Sequence, residues 1–461
     1  MAFADRAVGP LLALLTFLVI LDEWGLGLVA PVLRCLAVGT LILLTPRVRL
    51  SRQLFVVVGA GLTAWLALTD PDWTDTVLRG IDTAAFIAGF YVALSTLREA
   101  AAESPSIQKG GAFLAGQPPP KRYLAMTLGG HLFALVLNYG AIVLLGSLAA
   151  ASVQHDTDER IRDIRRRRML LAIQRGFVSS LAWSPLAFSM AISTSLVEGA
   201  SWGASALPGL VSGLTMMGIG WALDTIFKPR VSNPPPQRDP EGSWLLLSPL
   251  LVLMAILGTG VFVLHAATEV RIVGIVALLV PLVAVCWAAI QSRGAPAGEA
   301  RLGARLTAFL RGLSEAEGQI VLLMMAGYIG TVGAPLLVPL VKSAGLHPEA
   351  LPVWVVLVAL VWVIPLCGQL GMNPILAVTL LAPLIPTPDQ MGIAPAAVVI
   401  AITAGWTIAG ATSPFTATTL LIGDFGRVEA HQVGWRWNGL FALVCGLVMS
   451  LWVVAYATIF G

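Results

Sequence analysis

AITAGWTIAGATSPF, residues 401–415, and AIQRGFVSSLAWSPL, residues 172–186, share Ala-Ile, a Gly followed by an aromatic, an Ala, and a closing Ser-Pro. Six identities in fourteen positions carry no weight alone in so apolar a chain. Their physical content carries more. Each sets a proline, which cannot donate to the carbonyl four residues back, inside a stretch otherwise apolar enough to cross a bilayer. The fold turns on whether these two copies belong to a repeated architecture.

The surroundings are those of a membrane protein. Of 461 residues, 57% are hydrophobic and 11% charged, against roughly a quarter charged in soluble domains. Apolar runs cover approximately residues 8–21, 24–45, 54–69, 80–97, 123–152, 169–196, 204–227, 244–267, 270–291, 318–342, 350–385, 395–422 and 437–460. Most approach the roughly 20 residues that span a bilayer, so the chain is all-α; the short alternating segments of a β-barrel do not occur. Cys35, Cys286, Cys367 and Cys445 are scattered singly and are expected to be small buried hydrophobes, with no disulfide or zinc site. The first apolar run lacks a small-residue cleavage site and is read as retained.

Two runs are too long for one crossing and carry turn chemistry near their centres. These are LNYG at Leu137–Gly140 and GMNP at Gly371–Pro374. Asn and Gly admit turn conformations and Pro cannot continue a helix, so each run is expected to be a re-entrant hairpin. Non-helical backbone at membrane depth is tolerated where protein or a water-filled cavity covers it, which points to a ligand site.

Charge tests that topology. With both hairpins non-crossing and the N-terminus cytoplasmic, eleven crossings place 24 of the 28 Lys and Arg on the inside, including the run DERIRDIRRRR over 158–168. The asymmetry is the positive-inside signature, and it puts the C-terminus outside. The order helix, hairpin, Ser-Pro helix, further span then occurs twice. The helix at Ala172 runs outward and that at Ala401 inward. The fold class is therefore an all-α integral membrane protein with about 11 transmembrane helices and two re-entrant hairpins in two inverted-topology repeats. The expected divisions are scaffold helices over 1–122 and 228–349, and hairpin, broken helix and following span over 123–227 and 350–461. The Pro-rich stretch Lys228–Ser243 and the stretch Gln291–Glu317 are expected to be linkers.

The paired breaks supply the candidate site. Pro185 and Pro414 free carbonyls one turn earlier, and Ser179, Ser180, Ser184, Thr412 and Ser413 offer hydroxyls nearby. Oxygen ligands at about 2.4 Å suit a hard cation such as Na⁺, while half-helix N-termini favour an anionic group. The expected cation set is Asn138, Gly140, Ser179, Ser180, Gly371, Asn373, Gly410 and Thr412. The expected substrate set is Asn138, Ser184, Pro185, Asn373, Thr412, Ser413 and Pro414. Arg34 and Asp224 are charges in or near spans, Gln369 lies in the second hairpin, and His131 in the first is a candidate proton carrier. The chain lacks HExxH, GxSxG, a P-loop or paired acids within a span, so an enzyme is not expected.

At these residues the chain resembles the ion transporter superfamily, particularly its divalent anion:sodium symporter and arsenite exporter branches. The resemblance covers nearly the whole chain in segment order, although the tips read Leu-Asn-Tyr and Met-Asn-Pro where the symporter branch has Ser-Asn-Thr. It implies a secondary transporter of a small carboxylate or oxyanion in the bacterial inner membrane. The implied protein is coupled to Na⁺ or H⁺, works as an elevator and forms a homodimer, with no cofactor and no nucleic-acid partner. Two alternatives remain open: the membrane subunit of a tripartite transporter served by a soluble binding protein, and a cation/proton antiporter. No carboxylate stands at either tip or break, which weighs against an antiporter built on a midplane Asp pair.

Overall fold

A computed structural model describes residues 2–102, 104–154, 158–229, 242–268, 270–293, 302–345 and 347–461. The described residues are helical, with no strand. The first helices are α1 (Ala2–Glu23), α2 (Ala30–Leu44), α3 (Leu50–Thr69), α4 (Trp73–Ala102) and α5 (Pro105–Ala115). Next come α6 (Pro119–Leu137), α7 (Gly140–Ser152), α8 (Glu159–Ser180), α9 (Phe188–Leu196) and α10 (Trp202–Ile226). The second half holds α11 (Ser248–Thr268), α12 (Ile272–Arg293), α13 (Leu302–Glu315), α14 (Glu317–Ser343) and α15 (Val353–Gln369). It ends with α16 (Pro374–Leu381), α17 (Pro388–Met391), α18 (Pro395–Thr412), α19 (Ala417–Gly426) and α20 (Gly439–Phe460).

Among the described helices, nine are long and apolar enough to cross a membrane. The expected spans over 8–21 and 169–196 are also helical, the first as α1 and the second as α8 with α9. In the latter, α8 begins in arginines and a break separates it from the short α9. Large apolar side chains such as Leu28, Leu68, Ile226 and Phe262 stand exposed on the protein surface, the arrangement a lipid solvent rewards. The chain is a multi-pass membrane protein.

It forms two compact units, one of Met1–Ala100, Ile256–Pro348 and Ile375–Ile385, the other of Ala101–Ala255, Glu349–Pro374 and Pro386–Gly461. In the first unit α4 and α14 cross where Gly327 leaves room for Ile87 and Thr83. There α14 also receives α16: a Cβ at Gly330 would collide with Thr379. In the second unit α6 and α7 fold back on each other around the turn at Asn138, which takes a positive φ of 49°. The second long segment also breaks at its turn, but its arms part: α15 packs on α18 and α20 in the second unit, whereas α16 belongs to the first.

Two expectations need correction. Residues within Gln291–Glu317 are not only a linker, since α13 occupies 302–315 and packs on α1. Leu306, Phe309, Leu310 and Leu313 recur at helical spacing, Leu313 is buried, and Gly9 of α1 lies directly against the backbone of Leu310. Of Lys228–Ser243, residues 230–241 lie outside the described residues, as do 294–301 of the other stretch. The cysteines are not uniformly buried either. Cys445 is, whereas Cys35 and Cys286 are exposed on apolar helix faces, where a small hydrophobe meets lipid as comfortably as protein.

Candidate functional site

The Ser-Pro breaks are built alike. Each helix continues until Ser184 N donates to Ser180 O at 3.0 Å in one copy and Ser413 N to Ala409 O at 2.8 Å in the other. Proline follows and donates nothing. The amide two residues beyond the serine then turns back to its hydroxyl: Leu186 N to Ser184 Oγ at 3.2 Å, Phe415 N to Ser413 Oγ at 3.3 Å. The chain resumes as α9 at Phe188 and as α19 at Ala417.

The missing proline donors strand two particular carbonyls, those of Leu181 and Gly410, four residues before Pro185 and Pro414. Both are capped from beyond the break, Leu181 O by the Ser189 hydroxyl and Gly410 O by the Thr418 hydroxyl. All these pairs, 181 and 410, 184 and 413, 186 and 415, 189 and 418, are offset by 229, the offset of Ala172 and Ala401. The repeat extends to individual hydrogen bonds. Ser189 and Thr418 were not among the expected site residues. A hydroxyl eight residues after the stranded carbonyl, at equal register in both copies, is the signal that finds them.

The two breaks meet. A Cβ at Gly410 would lie 3.3 Å from Val178 and 3.4 Å from Leu181, so α18 and α8 touch where each is about to break. Gln174 of α8 donates to Ala411 O at 3.3 Å. Each turn sits beside the break that follows it in sequence. Tyr139, next to Asn138, stacks on Phe177 of α8 at 5.3 Å between ring centroids. Gly371 lies under the Phe415 ring, and Ser413 Oγ donates to Gly368 O at 2.6 Å.

Individual roles divide. Gly371, with φ +83°, ends α15 in a Schellman arrangement, its own N–H bonding Gly368 O and that of Met372 bonding Cys367 O. Ser180 Oγ donates to Phe177 O at 2.7 Å and Thr412 Oγ1 to Ile408 O at 2.8 Å, the back-bonding usual for helix hydroxyls. Gly140 opens α7, and Asn373 precedes the Pro374 that opens α16. The Asn138 side chain, half-buried, makes no hydrogen bond among the described residues. Gln369 donates to Thr412 Oγ1 at 3.3 Å, yet its Oε1 is buried with no partner, an unmet acceptor at the second break.

His131 is buried against the first break. Trp183 Nε1 donates to its Nε2 at 3.2 Å, and its Nδ1 lies 2.8 Å from Ser179 Oγ. An indole N–H can only donate, so Nε2 is the acceptor and the ring proton sits on Nδ1. Ser179 then accepts from His131 and passes its own proton to Gly176 O at 2.6 Å. The other expected intramembrane charges are paired: Arg34 with Asp82 by two bonds of 2.8 Å, Asp224 with Arg168 by bonds of 2.8 and 2.6 Å.

One further cation lies deep in this unit. Arg175 is buried; Nε donates to Asn438 Oδ1 at 3.1 Å, and the other nitrogens reach Tyr123 OH, Gly220 O and Trp437 O. Its guanidinium also stands 4.7 Å over the Phe441 ring. Asn438 donates in turn to Gln174 Oε1 at 2.9 Å. It terminates a π-helical turn, Gln432–Trp437, whose Gly434 packs directly on the Thr412 carbonyl. Every partner of Arg175 is neutral.

The fold is that of solved transporters. The YdaH transporter of Alcanivorax borkumensis matches with a TM-score of 0.56 over 88% of this chain and 97% of its own, at 17% identity. MtrF of Neisseria gonorrhoeae, described within a class of antimetabolite efflux pumps, matches with a TM-score of 0.53 over 92% and 98%, at 14% identity. Neither a protein-family model nor a curated protein sequence matches the chain.

Proposed function

We propose that this protein is a secondary active transporter moving a small anion, a carboxylate or oxyanion, by alternating access of the elevator type, driven by Na⁺ or H⁺. The observation that carries the reading is the contact of two identically constructed helix breaks at Gly410, Val178 and Leu181 within one compact unit. Discontinuous helices in inverted repeats are the usual substrate and ion site of secondary transporters, and the solved relatives in fold are transporters. The amide of Asn138, the unmet Oε1 of Gln369 and the second lone pair of the Leu181 carbonyl are the groups with hydrogen-bonding capacity left for a ligand. Arg175 gives the unit a positive interior, which favours an anion as cargo.

Purified protein in liposomes, supplied with small carboxylates, aromatic carboxylates and oxyanions under imposed Na⁺ or H⁺ gradients, tests the proposal. Concentrative flux driven by one gradient is expected. Flux indifferent to both gradients overturns the coupling, and no flux of any anion overturns the reading. MtrF is described as belonging to efflux pumps, so both directions are assayed.

A further inference from the structure

Away from the breaks, the first turns of α8 carry six arginines in the nine residues Arg160–Arg168. Asp158 caps this helix through the N–H groups of Arg160 and Ile161. Every residue from Met169 to Ser180 is buried, so the run stands where α8 leaves the apolar layer. Local pairs consume only part of its charge. Arg168 is held by Asp224 of α10, Arg167 lies 5.4 Å over the Trp437 ring, and Arg166 is 3.6 Å from Asp163. Arg160 is exposed, and Arg162 keeps a buried Nε–H with no hydrogen-bond partner.

Those same pairs assemble an apolar margin beside the charge. The Arg168–Asp224 bond fixes the end of α10, which exposes Trp221 (49%) and Phe227 (65%). The Arg167–Trp437 contact fixes the π-helical turn, which exposes Trp435 (59%) and Arg436. Aromatics beside basic side chains mark the headgroup level of a membrane, and guanidinium pairs with phosphate through two parallel hydrogen bonds.

We propose that this surface binds the phosphate of an anionic phospholipid headgroup, the acyl chains lying against the exposed aromatic margin. The arginines of this run outnumber its acids, and the exposed guanidiniums of Arg160 and Arg436 select an anion. A free phosphate ion would leave the Trp and Phe faces unused, whereas a lipid covers both. The inference is independent of what the protein transports.

The test is native mass spectrometry of the full-length protein in mild detergent, titrated with phosphatidylglycerol or phosphatidylcholine. Phosphatidylglycerol is expected to be retained in preference. Each arginine removed near an anionic headgroup should cost about fivefold in that preference, so R160Q/R162Q/R436Q should lose about a hundredfold. The corresponding triple lysine variant should keep most of it. Equal retention of the two lipids by the native protein, or unchanged preference in the glutamine variant, overturns the proposal. So does displacement of the lipid by an equal concentration of inorganic phosphate, which would mean a free-anion site. Should the triple variant fail to fold, R436Q alone, at an exposed position, must still lose about fivefold; an unaltered preference overturns the proposal equally.

Discussion

Trp183 donates its indole N–H to Nε2 of His131 at 3.2 Å, and this contact fixes which nitrogen of the buried imidazole carries the proton. A second proton on the ring would require Trp183 to withdraw. His131 is thus expected to hold the first break in shape as a neutral donor to Ser179. H131Q and W183F should each lower stability by about 1–3 kcal/mol, with a coupling energy of at least about 0.5 kcal/mol in the double variant. Thermal unfolding followed by tryptophan fluorescence reads both. The pH profile of flux by H131Q should match that of the native protein; a profile that flattens would assign His131 to proton transfer instead.

Ser189 and Thr418 cap the carbonyls that Pro185 and Pro414 leave without a donor. Removing the Ser189 hydroxyl strands a buried acceptor, and removing that of Thr418 leaves Gly410 O only the long 3.4 Å bond from Thr416 Oγ1, so the expected loss is about 1–3 kcal/mol. S189A and T418V should therefore unfold at lower temperature, and T418S, which keeps the hydroxyl, should not. Equal melting of T418V and T418S would dissociate the cap from stability.

Asn138 combines positive φ with an unengaged amide. N138A alters both properties, whereas N138G removes the amide and leaves the backbone at ease. Both variants are expected to lose flux by tenfold or more, with N138G folding as well as the native protein. Q369A should in addition weaken the dependence on the coupling cation, measured as the ion concentration giving half-maximal flux. Native flux in N138G would move the substrate elsewhere.

The glycines give a steric control. A Cβ at Gly176 would be driven into the Thr127 carbonyl, while one at Gly218 meets nothing within 4 Å. G176A is expected to cost about 1–3 kcal/mol or to abolish expression. G218A should be neutral or stabilise by up to about 1 kcal/mol through helix propensity. Melting temperatures of the two variants in one detergent decide it.

The helix breaks were legible because proline has a consequence that needs no tertiary information: it strands the carbonyl four residues back. The partner that answers the carbonyl was not, since Ser189 and Thr418 reach it only after the chain turns through the break. A hydroxyl beside a break is equally a ligand oxygen or a donor to its own helix; Ser180 and Thr412 return to their own helices, a choice invisible in residue type. Arg34 and Asp224 could be located in apolar runs, but Asp82 and Arg168 pair with them across long sequence separations. The helix α13 is hard to read from sequence because its short apolar stripe is diluted by arginines and glycines. The parting of α15 and α16 has no sequence signature; it depends on Thr379 fitting at Gly330.

Arg175, enclosed by a phenyl ring, a phenol, an amide and two backbone carbonyls, acts as a permanent electrode. At an effective dielectric of about 20, a unit charge shifts the energy of another about 10 Å away by roughly 1.7 kcal/mol, nearly twentyfold in occupancy. The sign lowers the dehydration barrier of an anion and raises that of a cation. Under the proposed coupling, a cation entering the same interior would have to overcome this repulsion with oxygen ligands, or arrive together with the proposed anion. The second route would make co-occupancy, rather than either ion's own affinity, the quantity that the buried guanidinium sets.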